Sequence, residues 1–346
     1  MDQANGVRSI GQSFRRRAAA ARSAYRTQEV EEMEQSMERF YVFDNLALDT
    51  RETPLNMQYV RVPVEKKDGM GVLSSPLLLL EHPLTEMNYH AFSKMSGLSK
   101  LLLDVYEIAN DGTEKIYYPV LPTPCACMYF KFDASTVRSK LCGMTTTIGK
   151  IELRPKASVL CVRFRVGAAD YFTKMPFCKM ANAVLRTDLF FPAVVNLCQE
   201  FQRSGSFDEK VQRIAAYFHG ISRTAEYETH ALIKRSVDLI HQHGGNIRVS
   251  DIAETIGYSE RSLCRLFRNL VGVSTKQYCE LIKMQCSLKD ILMNRHKVLA
   301  RTANSYGYFD QPHMNRMYQK FLGRTASEMR FFDEESCHAK GIMLLL

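Results

Sequence analysis

Apolar residues are distributed along this chain in two textures. From about Phe40 to residue 200 they come in short alternating runs, and beyond that they recur every three or four positions. In 126–132, Ala126, Met128, Phe130 and Phe132 share one side, opposite Cys127, Tyr129 and Lys131. Stretch 159–166 repeats the pattern, with Leu160, Val162, Phe164 and Val166 opposite Cys161, Arg163 and Arg165. Period two of this kind predicts half-buried strands of an antiparallel sheet. Stretches 101–108 and 114–118, separated by Asn110-Asp111-Gly112, predict a hairpin closed by a positive-φ Asp-Gly turn. Stretches 57–64 and 77–80 are further β-like runs, whereas 194–201 and 210–218 carry helical spacing. Residues 220–227 read as the connection into the C-terminal helical region.

The sharpest feature is an internal repeat. Ala253-Glu254-Thr255-Ile256-Gly257-Tyr258 corresponds to Ala303-Asn304-Ser305-Tyr306-Gly307-Tyr308, fifty residues later. After a one-residue insertion, Arg265-Leu266-Phe267 corresponds to Arg316-Met317-Tyr318, and Gly272 to Gly323. Each copy predicts a short helix, a turn at Gly-Tyr, and a longer helix ending at glycine. In the first, Ser250 is the expected cap of 251–256, Gly257 the left-handed terminator, and Ser259 the cap of 260–271, whose Leu263, Leu266 and Phe267 face inward. In the second, Asp310 caps 311–322, with Pro312 in the first turn, where a missing N–H costs nothing. Between the copies, Ser274 and Gln277 form a capping box for a helix over 275–293, about 27 Å of rod at ~1.5 Å per residue. Its expected buried stripe is Tyr278, Leu281, Ile282, Leu288, Ile291 and Leu292. Thr325 and Glu328 box a last short helix.

The predicted class is therefore α+β: a β-rich N-terminal and middle domain over 39–200, and an all-α domain over 229–332 with two helix-turn-helix units joined by a long linking helix. A helical linker is expected over 201–228, with a basic-then-acidic tail over 1–38 and a C-terminal tail over 333–346. The Arg-rich start lacks the apolar centre of a secretory signal and reads as a disordered or loosely helical tail.

Charge narrows the function. The formal net charge is +9, and residues 230–332 alone carry sixteen Lys/Arg against eight Asp/Glu, so nearly the whole surplus sits in the repeat. A polyanion is the natural partner for such a segment. Ten cysteines occur without a CxxC pair or a close Cys/His spacing, so no metal, cofactor or disulfide scaffold is expected, and a reducing cytoplasm suits them. No apolar run approaches the ~20 residues that span a bilayer, so no membrane is expected. His241-Gln242-His243 reads as a helix-terminal pair facing the dipole, because two residues apart they point in different directions. No phosphate loop, catalytic triad or activated nucleophile stands out, and no catalytic residue is expected.

In the first long helix of the repeat, Arg261, Ser262, Cys264 and Arg265 are the outward positions near the start. Arg261 and Arg265 lie one turn apart, suited to guanine O6 and N7. Gln311, His313, Asn315 and Arg316 are the corresponding set in the second, where Gln and Asn suit adenine. Arg268, Lys276, Lys297, Lys320 and Arg324 are candidates for phosphate contact.

The segment 230–332 resembles the AraC/XylS family of transcription regulators. The resemblance rests on Gly307-Tyr308-Phe309-Asp310-Gln311-Pro312-His313 and on Arg316, Tyr318, Lys320, Gly323 and Thr325. The chain departs from the family at Pro312 (Ser is usual), Met314 and Tyr318 (Phe), and Ala326 (Pro). The resemblance implies a bacterial, sequence-specific regulator that lays its two recognition helices in successive major grooves of double-stranded DNA. It places Arg261, Cys264 and Arg265 at base-reading positions. Residues 86–200 resemble an uncharacterised N-terminal domain of one branch of the family, through Leu121-Pro122, Gly143 and Val162-Arg163-Phe164-Arg165-Val166-Gly167-Ala168-Ala169. A small-molecule effector, RNA polymerase and a second copy of the chain are the further partners this implies, with monomer and homodimer both open. An effector cavity would lie among Met128, Phe130 and Phe164, against ordinary core packing of the same residues. The rival class is a DNA-repair alkyltransferase-like or other Cys-dependent enzyme carrying the same DNA-binding module.

Overall fold

The computed structural model describes residues 58–60, 78–81, 85–92, 97–133, 136–168, 176–203, 205–222, 228–294, 296–330 and 343–344. The expected tail over 1–38 lies outside the described residues, as do 223–227 of the expected connection.

Eleven strands form two sheets among the described residues. They are β1 (Gln58–Val60), β2 (Leu78–Glu81), β3 (Thr85–Ala91), β4 (Leu102–Asn110), β5 (Ile116–Val120), β6 (Cys127–Asp133), β7 (Thr136–Cys142), β8 (Gly149–Leu153), β9 (Ser158–Phe164), β10 (Val184–Arg186) and β11 (Met343–Leu344). The larger sheet runs β10-β7-β6-β9-β4-β3 with every pair antiparallel, and the smaller runs β1-β2-β11-β5-β8. The C-terminal apolar tail thus contributes a strand between β2 and β5.

The expected hairpin does not form. β4 pairs with β3 and β9, while β5 pairs with β8 in the other sheet. Neither Asp111 nor Gly112 takes the positive φ that a tight hairpin turn needs. Instead the buried Asn110 side chain accepts from the Gly112 N–H (3.0 Å) and donates to the Glu114 (2.8 Å) and Leu153 (3.0 Å) carbonyls. This Asx turn sends the chain from one sheet to the other.

The central strands are buried on both faces, not half-buried as the alternation suggests: Cys161 and Arg163 are as enclosed as Leu160, Val162 and Phe164. Helices α1 (Val194–Phe201) and α2 (Phe207–Ser222) cover one face. The Phe130 ring meets Phe201 edge-on at 4.9 Å, and Phe164 stacks on Phe191 (6.0 Å) and meets Phe218 edge-on (5.5 Å). Met128, Phe130 and Phe164 are thereby fully buried in ordinary packing. The expected linker over 201–228 is corrected accordingly: α2 belongs to the β-rich domain's core, and its buried Lys210 donates to both oxygens of Glu107 on β4 (2.7 and 2.9 Å).

The helical domain comprises α3 (Glu228–Gln242), α4 (Val249–Ile256), α5 (Glu260–Leu270), α6 (Thr275–Met293), α7 (Leu299–Ser305), α8 (Gln311–Leu322) and α9 (Ala326–Arg330). Its core does not stop at the domain boundary. Leu121 and Met144, with half-buried Ile148, Val166 and Ala181, join the cluster built by the helices. Gly272 has φ +102°, and a side chain there would press on Met144 and the Phe177 carbonyl. The Gln285 amide of α6 donates to the Pro122 carbonyl (2.8 Å), and the Ile148 N–H donates to Phe321 O at the end of α8 (3.0 Å). Segment 121–149 therefore touches the end of α5, the end of α8 and the middle of α6.

Candidate nucleic-acid interface

The first unit is α4-turn-α5. Gly257 ends α4 in the left-handed conformation (φ 74°), and the Ser259 side chain accepts the Ser262 N–H (3.2 Å) to start α5. The cap expected at Ser250 is not used: α4 begins at Val249 with Arg248 ahead of it, and Ser250 bonds Asp251 instead. Leu263, Phe267 and Leu270 bury one side of α5. The opposite side leaves Arg261, Arg265 and Arg268 exposed at i, i+4 and i+7, one stripe of three guanidinium groups. Ser262 and Cys264 are half-buried beside it, with the Ser262 hydroxyl held by Ser259 (3.0 Å).

The second unit is α7-turn-α8. Asp310 accepts the His313 N–H (2.6 Å), and Gly323 closes α8 with φ 66°. Pro312 sits in the first turn and the helix forms from Gln311, so the departure from the usual serine does not delay it. The exposed stripe here is Pro312, Arg316 and Gln319. Measured from the two helix starts, Pro312 stands where Arg261 does, Arg316 where Arg265 does, and Gln319 where Arg268 does. Only one of the three cations is kept.

Several expected contact residues are occupied within the fold. The Asn315 side chain accepts the Ala326 N–H (3.1 Å) and so caps α9. His313 Nδ1 accepts the Phe309 N–H (3.2 Å), which leaves the ring proton on Nε2, and its ring lies edge-on to Tyr308 at 5.6 Å. Lys320 pairs with Glu280 of α6 (2.8 Å), and Lys297 with Asp290 (2.5 Å). Gln311 is half-buried at the first residue of α8, and Arg324 is half-buried just past it. Lys276 is exposed in the first turn of α6, beside the expected Ser274–Gln277 box, which is present on both sides. The sequence reading passed over Gln319, whose place on the stripe follows from the helix register, and Phe309, which is 87% exposed.

The linking helix sets the two units against each other. Lys283 of α6 donates to Asn246 Oδ1 (2.9 Å), ahead of the first unit, and to the Gly307 carbonyl (3.1 Å) in the turn of the second. Burial holds its ammonium below the usual lysine range. The Ser287 hydroxyl lies 3.2 Å from the Tyr308 hydroxyl and 2.9 Å from that of Tyr318. The expected stripe of Tyr278, Leu281, Ile282, Leu288, Ile291 and Leu292 is buried.

His241 lies in the last turn of α3, as expected. It is half-buried, with Nε2 3.0 Å from the Tyr278 hydroxyl, and burial lowers its pKa from the usual 6.5. The unfolded chain then holds more protons than the folded one just below that value, so stability rises with pH there. Unfolding midpoints should fall as pH drops through about 6.5, and His241→Phe should flatten that slope. An unchanged slope in the variant would remove His241 from the account.

Cys125 and Cys127 are placed unfavourably for nucleophilic chemistry. Cys125 is buried and pushed up to about 12 by desolvation, and a thiol hydrogen bond with Cys161 together with burial raises Cys127. A buried thiol held in its protonated form is a poor nucleophile. Among the described residues no group of three or more His, Cys, Asp or Glu could hold a metal ion, and no helix is long and apolar enough to cross a membrane.

Comparison with known proteins agrees with both resemblances read from the residues. A family described as a helix-turn-helix domain matches residues 252–331, and one described as a domain of unknown function, DUF6597, matches 97–186. The chain is 29% identical over 103 residues to the Msm operon regulatory protein of Streptococcus mutans serotype c, covering 30% of this chain and 37% of that protein. Among solved structures it is similar to ToxT from Vibrio cholerae O395 (TM-score 0.34, 12% identity, 72% of this chain and 98% of that one). The AraC-like transcriptional activator CuxR is a more distant likeness (TM-score 0.17, 12% identity, 60% and 87%).

Proposed function

We propose that this chain, which carries an AraC-type helix-turn-helix domain behind a DUF6597 domain, is a sequence-specific DNA-binding transcription regulator that places α5 and α8 in successive major grooves. The observation that carries this reading is the pair of exposed stripes at matching positions of two recognition helices bolted to one linking helix. Arg261 and Arg265 are assigned to guanine edges, Ser262 and Cys264 to the same base steps, and Arg316, Gln311 and the His313 Nε2–H to the second half-site. Arg268, Lys276 and Arg324 are assigned to phosphates. Asn315, Lys297 and Lys320 are assigned to the fold, because the Asn315 Oδ1 and the two ammonium groups already have partners. The three-to-one count of stripe arginines makes the first unit the dominant reader.

Control by an effector or by dimerisation of the β-rich domain would reach DNA through segment 121–149, since that segment holds the ends of both recognition helices. RNA polymerase is the protein partner such a regulator serves, and the cytoplasm is where it meets DNA.

The test is selection from a random double-stranded DNA pool with the full chain, because the helical domain shares its core with the β-rich one. The expected product is two motifs about one helical turn, ~34 Å, apart, bound with a steep salt dependence. Arg265→Ala should then relax preference at one position by about 1–3 kcal/mol. Equal weakening on every sequence would overturn its base-reading role, and no enriched site would overturn the function.

A further inference from the structure

Phe309 is the most exposed large apolar side chain among the described residues, at 87%. Among the described residues nothing covers its ring. Its backbone, however, is held firmly. The Phe309 N–H donates to His313 Nδ1 (3.2 Å) in the first turn of α8, and Tyr308 before it is anchored at 4% exposure with its hydroxyl on Ser287. Asp310 after it is the cap of α8. The ring is therefore presented by a rigid base immediately ahead of a recognition helix.

The comparison of the two units sharpens this. In the first, Gly257-Tyr258 leads straight into the capping Ser259; in the second, Gly307-Tyr308 is followed by Phe309 and only then by the capping Asp310. Phe309 is the inserted residue of the repeat. The same unit has lost the cation that stands at Arg261 in the first and carries Pro312 there. An apolar group has been added at the start of a helix that has given up a charged one.

We propose that Phe309 is a specificity-determining residue of the second unit, reading a thymine through apolar contact between its ring and the C5-methyl group. Contact with that methyl is the one apolar signal a major groove offers. Arg316, exposed little more than one turn into α8, supplies charge that brings a polyanion to this helix. The proposal rests on the DNA-reading function. Failure of the wild-type chain to select any site would sink that function, whereas the test of Phe309 starts from a selected site.

On that site, each thymine of the second half-site is replaced in turn by uracil, which removes only the methyl. Wild-type binding should weaken about fourfold at one position, the worth of one buried methyl group at about 0.8 kcal/mol. Phe309→Ala should bind the unmodified site about tenfold more weakly, lose the uracil effect at that position, and keep the wild-type slope of affinity against salt. Because the ring is exposed, the variant's unfolding midpoint should match the wild type's. Phe309→Ala binding as tightly as wild type overturns the proposal, and loss of transcription without loss of binding would then assign the ring to a protein partner. A variant that keeps the uracil effect, or one whose salt slope falls, also overturns it.

Discussion

Arg163→Met is expected to cost about 3–5 kcal/mol of stability, the usual penalty for removing one partner of a buried ion pair. Arg163 and Asp104 face each other on adjacent strands β9 and β4, each only 2% exposed. The guanidinium donates through Nε to Asp104 Oδ1 (2.5 Å) and through Nη2 to the other oxygen, a two-pronged pair with no solvent to replace it. Removing the arginine leaves a buried carboxylate near Cys125, where burial penalises charge. The chain has no tryptophan, so urea unfolding is best followed by circular dichroism. The double variant Asp104→Leu/Arg163→Met should recover most of the loss, because two apolar groups need no pairing. A single-variant loss below about 1 kcal/mol, or no recovery in the double, would show that the pair does not hold the sheet as described.

That pair also marks where sequence reasoning stopped. The alternation in 159–166 gave the strand and its two faces, but not that both faces are covered, since covering depends on α1, α2 and distant strands. Local chemistry was legible over most of the repeat: Ser259, Ser274 with Gln277, Asp310, Gly257 and Gly323 act within four residues of themselves and do what their types predict, Ser250 being the exception. The hairpin failed because Asn110 closes its turn partly on Leu153, forty-three positions away. The same distinction runs through the candidate interface. Helix register exposed Arg261, Arg265 and Arg316, whereas Asn315, Lys320 and Lys297 are occupied by Ala326, Glu280 and Asp290, partners that only the packed helices reveal. α2 looked like a linker because its amphipathic face says that it packs, not on what.

Ser287→Ala should damage the second unit out of proportion to the single oxygen it removes. Ser287 is fully buried on α6, where its hydroxyl meets Tyr308 OH from the turn and Tyr318 OH from α8. Both tyrosines are themselves buried, at 4% and 0% exposure, so neither hydroxyl can turn to water. Each buried group left unpaired costs about 1–3 kcal/mol, which puts the expected loss at roughly 2–4 kcal/mol if the two share some relief. The damage falls on the joint between α6 and α8, since the first unit is held by other groups, including Tyr278 against His241. Affinity for a DNA site with both half-sites should therefore fall toward that for the first half-site alone, while binding to the isolated first half-site stays as in the wild type. Adding Tyr308→Phe and Tyr318→Phe to Ser287→Ala removes the stranded hydroxyls and should restore most of the stability. Equal weakening on both kinds of DNA would mean that the serine supports the whole domain rather than the joint. An unchanged unfolding midpoint in the single variant would mean that the hydroxyl network contributes nothing to either.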